Sequence, residues 1–402
     1  MSLLDMLSDE KRWEKFYKYK CSLTCKKSFT NDLRGFIDSK KFLSVCDKIK
    51  NGERFPLPEK SVISKTDSNK KRIVYSYPYD ENTVLKLLTH LLLRKYDYLF
   101  SKTLYSFRPV KTAKDAIKQI TASQNIENMY SYKADISNYF NSIPIEKLLP
   151  KLKAVLSDDG ELFRFLSGLL TETLVIEQGK AIVEDKGIMA GTPLSAFYAN
   201  LYLNELDHYF EKEGIIYARY SDDIIVFDDC AEKVRKHSEY IKYHMHSLGL
   251  TINNDKECFC KPEEGWSFLG FSYQKGTIDI SDVTVRKLKM KMRRKARALS
   301  RWKKRNDISG ENTAKAFIRI FNRKLFEGGK DNELTWALWF FPVINSDLRL
   351  KELDHYAQEQ IRFLVSGTRR KSRFNIRYDD IKKLGYRSLV HEYYDGCKRN
   401  ET

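Results

Sequence analysis

Ile216-Tyr217-Ala218-Arg219-Tyr220 and Ile224-Ile225-Val226-Phe227 are two apolar segments, rich in β-branched and aromatic residues, separated only by Ser221-Asp222-Asp223. Such segments read as strands, and so short a separation closes them into a hairpin with paired acids at its tip. Two carboxylates in one tight turn repel each other, a cost that a multivalent cation removes. Hard oxygen ligands on a rigid hairpin suit Mg2+ or Mn2+. A solvent-exposed Asp-Asp turn has the same letters, so the pair needs company before it carries chemistry.

Upstream, Tyr130-Ser131-Tyr132-Lys133-Ala134-Asp135-Ile136 alternates as a strand ending near an aspartate, and Ser137-Asn138-Tyr139-Phe140 then turns into a helix. If this strand lies beside the hairpin, Asp135, Asp222 and Asp223 converge on a two-metal site, with the Ile136 backbone a further candidate ligand. Such a site activates a hydroxyl and stabilises a leaving pyrophosphate in phosphoryl transfer. If it lies elsewhere, Asp135 is a helix cap.

Around these acids the chain divides into three regions. Residues 129–280 alternate short strand signals with amphipathic helices, which predicts an α/β (α+β) sheet covered by helices. Residues 1–128 are mixed and basic, with a helical pattern over Asn82 to Tyr96 and a strand-like Lys70-Lys71-Arg72-Ile73-Val74-Tyr75. In 281–402, Val283 to Asn306 contains no acid, and 286–305 holds twelve Lys or Arg with Leu288, Met292, Leu299 and Trp302 at helical spacing. Like charges at neighbouring helical positions repel by about 0.2–0.5 kcal/mol per pair, which a polyanionic partner relieves. Arg286, Lys289, Arg293, Arg294 and Arg297 are the candidate phosphate contacts. The same balance holds over all 402 residues, where 72 Lys and Arg against 54 Asp and Glu leave a net charge of +18. Nucleic acid is the first partner to consider, although charge alone also fits ribosome-binding, toxic and peripheral membrane proteins.

The blocks surrounding the acids resemble the reverse transcriptase family. Tyr220-Ser221-Asp222-Asp223 matches its Tyr-x-Asp-Asp box, and Ala134-Asp135 through Phe140 its first catalytic motif. Gly191-Thr192-Pro193-Leu194-Ser195, then Ala199-Asn200-Leu201-Tyr202-Leu203 and Asp207, resemble the motif between them. Leu248-Gly249-Leu250 to Asn253 and Lys256, then Phe268-Leu269-Gly270-Phe271, resemble the closing two, so order and spacing agree over about 65–275. The resemblance implies a right-hand polymerase: an N-terminal extension and fingers over 1–128, a palm over 129–280 with a fingers segment at about 150–190, and a basic helical thumb and C-terminal region over 281–402. It implies an RNA-directed DNA polymerase using dNTPs, two Mg2+ ions (or Mn2+), an RNA template and a DNA product.

By the same resemblance Phe140 is the steric gate that excludes a ribose 2′-hydroxyl; an ordinary core phenylalanine is the other reading. Lys65, Lys71 and Arg72 flank a fingers hairpin over Ser61 to Tyr77 that grips the incoming triphosphate, or they are a solvated basic strand. Gly191 lets template or nucleotide approach a helix running to about Glu213, and Ser195 adds a hydroxyl contact; a plain loop-to-helix junction fits those residues equally. Many family members carry glutamine where this chain has Ala190. Lys256 orients the pyrophosphate, and Arg108 of Phe107-Arg108-Pro109 lies in a template-side motif like that of group II intron and related bacterial enzymes.

The chain lacks the Asn-Ala-x-x-His and Val-Thr-Gly segments usual in retron enzymes and shows no maturase, HNH-like or integrase pattern in 281–402. Lys382 to Val390 and Trp336 to Pro342 resemble the standalone bacterial enzymes of phage defence, above all the second class, which copies a noncoding RNA encoded beside it. That implies a structured noncoding RNA as partner. A template-independent DNA polymerase and an intron-type enzyme are the alternatives, with an RNA-binding scaffold as the non-enzyme reading. Three retained acids facing a nucleic-acid groove argue against a scaffold, because they would weaken binding by repulsion.

Seven scattered cysteines and an opening without a secretory pattern point to a reducing cytoplasm, and the longest apolar run, Leu334 to Ile344, is well short of the roughly 20 residues that span a bilayer. Cys21-x-x-x-Cys25 and Cys258-Phe259-Cys260 do not have the usual zinc spacing and are expected to be buried thiols. The sequence names no protein partner.

Overall fold

A computed structural model describes residues 2–23, 27–64, 71–327 and 335–400. They form two compact units, one holding 2–23 and Lys27–Glu264, the other beginning at Gly265. Among the described residues no helix is long and apolar enough to cross a membrane.

The first unit contains two four-stranded sheets. One has the order β2-β1-β4-β5, with β1 at Glu59–Ser64, β2 at Lys71–Ser76, β4 at Leu174–Glu177 and β5 at Lys180–Val183. The hairpin expected over Ser61 to Tyr77 is its antiparallel β1–β2 pair; Lys65 lies outside the described residues. The other has the order β6-β7-β3-β8, with β3 at Tyr130–Asp135, β6 at Tyr217–Tyr220, β7 at Asp223–Asp228 and β8 at Cys258–Cys260. The central position of β7 explains why Ile224 to Phe227 is apolar without alternation: all four residues are buried. The Ala231–Ser247 helix packs on β3 and β7.

A continuous core runs from Leu3 to Ile252, so the segments expected as fingers and palm belong to one unit. The helix expected from Gly191 to Glu213 is two, Ser195–Tyr202 and Asn204–Lys212, interrupted at Leu203 with φ −102° and ψ 11°.

The second unit joins an antiparallel sheet, β9 (Trp266–Phe268), β10 (Phe271–Gln274) and β11 (Thr277–Ile280), to a helical bundle. The boundary expected at 280/281 therefore falls inside this unit. Its physical cause is local: the Ser281 amide donates to the Gly270 carbonyl at 2.9 Å, and the Ser281 hydroxyl caps the Asp282–Asn306 helix by accepting from Thr284, so sheet and helix start are tied. Val285, Leu288, Met292, Ala296 and Leu299 form the buried stripe of that helix, which packs on Leu348–Ser366.

Candidate active site

Strand register assembles the site. Asp135, the last residue of β3, pairs directly with Asp223, the first residue of β7, and Asp223 pairs with Tyr220 of β6. The intervening Ser221-Asp222 link is a two-residue hairpin turn, for which Ser221 takes the left-handed φ of +61°. The Ile136 amide donates to the Asp222 carbonyl at 3.1 Å and fastens the turn to the end of β3. Neighbouring strands lie about 5 Å apart, so the three carboxylates share one end of the sheet.

Another segment holds Asp135 from its opposite flank. The Asn253 amide donates to the Asp135 carbonyl at 2.7 Å, and the Ser137 amide to the Thr251 carbonyl at 2.8 Å. The Asp135 carboxylate accepts from Lys256 Nζ at 2.7 Å and from Asn253 Nδ2 at 3.4 Å. Asp135 is only 4% exposed, whereas the Lys256 side chain is half in solvent.

Burial, reinforced by the negative charges of its neighbours, pushes the Asp223 carboxyl up to about 6, and burial with the Asp135 charge raises Asp222. Partial burial lowers the Lys256 ammonium but is outweighed by its bond to Asp135 and the charges of Asp223 and Asp222, so its pKa is raised. The electrostatics thus call for positive charge at this end of the sheet. Among the described residues no three His, Cys, Asp or Glu side chains stand ready-made as a metal cage; Lys256 is the cation at Asp135. The donor set itself, oxygens from a rigid hairpin and an adjacent strand, fits a hard divalent ion.

Beneath the turn lies a buried polar layer that the sequence reading missed. Arg219 and Asp207 are fully buried and joined by two bonds, at 2.5 Å and 2.8 Å. Arg219 also donates to the carbonyls of Ser221 and Asn200, each at 3.2 Å, and Tyr217 donates to Asp207 at 2.9 Å. The Ser221 amide donates to Ser106 Oγ at 2.9 Å, and Ser106 donates to Asn200 Oδ1. Both backbone polar groups of the strained Ser221 are therefore gripped by buried side chains. The available signal was an arginine in an otherwise apolar strand, which demands a buried acid.

Other expected contacts are placed differently. Arg108 turns inward: its guanidinium pairs with Asp97 and donates to the Ser101 carbonyl at 2.9 Å, so it braces the loop and is not free for a template. The exposed side chain of that segment is Phe107, at φ +55°, whose ring meets Phe140 edge-on at 6.3 Å. Ser195 is buried and donates to the Thr192 carbonyl at 2.7 Å, so its hydroxyl is spent on the helix start. Gly191, at φ +102°, lies against β2: a Cβ there would meet the Tyr75 carbonyl oxygen at 3.0 Å, and Tyr75 donates to the Ala190 carbonyl at 2.8 Å. The close approach is to protein backbone. Asn141, which the sequence reading did not single out, completes this seam by accepting from the Ala190 amide and donating to the Ile73 carbonyl.

Lys71 and Arg72 are exposed on β2, and Phe140 is half-buried. In the second unit Arg286, Arg293, Arg294 and Arg297 are exposed, while Lys289 is paired with Glu352 at 2.6 Å. The cysteines differ from expectation: Cys21 and Cys258 are exposed, Cys258 and Cys260 face each other at 3.3 Å on one side of β8, and Cys25 lies outside the described residues.

Residues 63–273 match the family model "Reverse transcriptase (RNA-dependent DNA polymerase)". The Retron Ec86 reverse transcriptase of Escherichia coli is 26% identical over 161 residues, 39% of this chain and 49% of that protein. An uncharacterized 91 kDa protein in the cob intron of Schizosaccharomyces pombe is 27% identical over 178 residues, 42% of this chain and 21% of that protein. The chain thus spans half or less of the length of these curated relatives. Among solved structures, apo telomerase from Candida tropicalis is 11% identical with a TM-score of 0.48, covering 85% of this chain and 65% of that one.

Proposed function

The chain belongs to the reverse transcriptase family, and from that premise we propose that it is an RNA-directed DNA polymerase whose chemistry is carried by Asp135, Asp222 and Asp223. One observation carries the reading: Asp135 and Asp223 are direct partners in adjacent central strands, with Asp222 in the turn fastened to Ile136. Two Mg2+ ions (or Mn2+) held by these carboxylates and the Ile136 backbone would supply Lewis-acid activation of the primer hydroxyl and charge neutralisation at the leaving pyrophosphate.

The protein's own residues do the positioning. Asn253 fixes the Asp135 main chain, and Arg219 with Ser106 holds the turn that presents Asp222. Phe140, braced by Phe107, sets the width of the sugar site. Lys71 and Arg72 offer exposed cations to the triphosphate, joined by Lys65, and Lys256 is a cation for the pyrophosphate. Arg286, Arg293, Arg294 and Arg297 follow the phosphates of the template duplex.

The template is a structured noncoding RNA and the setting is antiphage defence; what supports this finer reading is the similarity of Lys382 to Val390 and Trp336 to Pro342 to the second class of standalone defence enzymes. An intron-type enzyme is the second reading, favoured by the relative in the cob intron.

The test is to sequence all nucleic acid that co-purifies with the wild type and with Asp222→Ala/Asp223→Ala, with and without phage infection. One enriched small RNA together with its complementary DNA, the DNA missing from the variant, is expected. Low-complexity DNA with no matching RNA would indicate untemplated synthesis, and identical profiles would refute the catalytic role.

A further inference from the structure

The segment Gly367-Thr368-Arg369-Arg370-Lys371-Ser372-Arg373-Phe374-Asn375-Ile376-Arg377 contains five cations and no acid, and catalysis uses none of it. It follows the Leu348–Ser366 helix, leaves it through Gly367 at φ +73°, forms a 3-10 turn over Lys371–Asn375 and enters the Tyr378–Lys383 helix.

Three arginines hold this segment in shape. Arg373 pairs with Glu359 at 2.8 Å and donates to the Arg370 carbonyl at 3.1 Å. Arg362 donates to the Ile376 carbonyl at 3.0 Å. Arg369 donates to Gln360 at 3.1 Å and lies 4.2 Å over the Phe363 ring. Arg370, Lys371 and Arg377 are exposed, and no carboxylate within ion-pair distance of any of them is found among the described residues. Two aromatic rings face water, Phe374 between Lys371 and Arg377 in the chain and 50% exposed, and Tyr378 directly after Arg377 and 43% exposed. The Phe374 ring is flanked by the guanidinium groups of Arg373 at 4.3 Å and Arg362 at 5.7 Å.

We infer that this segment is a docking surface for an unpaired loop of RNA, beyond Arg286 to Arg297 and next to the last turn of the Asp282–Asn306 helix, whose Lys303 donates to the Leu364 carbonyl at 3.4 Å. Its cations attract phosphates, and its exposed rings, Phe374 backed by Arg373, offer apolar surface on which flat groups stack. An acidic peptide answers only the cations, and a base-paired duplex hides its base faces. An unpaired loop with splayed bases answers both, by phosphate contact and base stacking, and its being RNA rests on the noncoding-RNA partner proposed above. This inference does not depend on the catalytic reading: binding here and polymerisation fail or succeed separately.

The test measures anisotropy of a labelled RNA hairpin with a twelve-nucleotide loop, about the size that single-strand binding modules occupy, on the full chain. Controls are a blunt RNA duplex and a DNA hairpin of the same sequence. Arg370→Gln/Lys371→Gln/Arg377→Gln is expected to weaken loop binding about tenfold or more at 0.1 M salt and to reduce the slope of log affinity against log salt by about two. Phe374→Ala should cost about tenfold, and Phe374→Trp should restore it. Crosslinks from 4-thiouridine in the loop should map to Gly367–Asp379. Unchanged affinity in both loss variants, equal losses for the blunt duplex, equal binding of the DNA hairpin or crosslinks confined elsewhere would overturn the proposal.

Discussion

The Lys256 ammonium and the Asp135 carboxylate lie 2.7 Å apart, one half-exposed and the other buried at the end of β3. A divalent ion drawn to Asp135 competes with that ammonium. Lys256→Ala is therefore expected to lower stability by about 1 kcal/mol or less in chelator, the exposed lysine being screened by water. Saturating Mg2+ should close the gap. Thermal unfolding in EDTA and in Mg2+ measures both, and an equal deficit in the two would contradict the competition.

Asp223 gives a pH dependence of definite sign. Its folded-state pKa of about 6 stands above the carboxyl's ordinary 3.8. The stability that this shift contributes is full below about 3.8 and is lost as pH rises through about 6. In metal-free protein Asp223→Asn, which cannot ionise, should melt above the wild type at pH 7 and level with it near pH 4. Mg2+ affinity of the wild type should rise across the same interval. A melting difference independent of pH would count against the buried, mutually repelling acids.

Removing one member of the Arg219–Asp207 pair leaves the other charge buried alone. Arg219→Met is expected to cost about 3–5 kcal/mol. The paired change Arg219→Met/Asp207→Leu should recover much of that stability. It should not recover polymerisation, because the Ser221 carbonyl remains unheld. Denaturant unfolding and primer extension on the single and double variants separate the two effects.

Phe140 is braced edge-on by Phe107 and Tyr139. Phe140→Ala should open the sugar site, lowering the preference for dNTP over rNTP in kcat/KM by about tenfold or more. An unaltered ratio would make Phe140 a packing residue alone.

The acids were legible because a strand signal, a two-residue turn and a second strand are local patterns, and pairing Asp135 with Asp223 needed only one assumption of adjacency. The strand Lys71–Ser76 and the Asp282–Asn306 helix were legible for the same reason, whereas the pairing of β2 with β1 in a hairpin came from the family resemblance. What stayed hidden depended on distant partners. Arg108 looked available until Asp97 and the Ser101 carbonyl were seen to claim it, and the tight space at Gly191 proved to face Tyr75. The unit boundary at Gly265 was invisible because Ser281 is joined to Gly270 by a backbone bond that no periodicity announces.

The most direct measurement is extension of a DNA primer on a defined RNA template with dNTPs and Mg2+, comparing the wild type with Asp223→Asn and quantifying RNA binding in parallel. Template-complementary DNA from the wild type, none from the variant and equal RNA binding by both is the predicted result. Extension by the variant at the wild-type rate would contradict the assignment of the site.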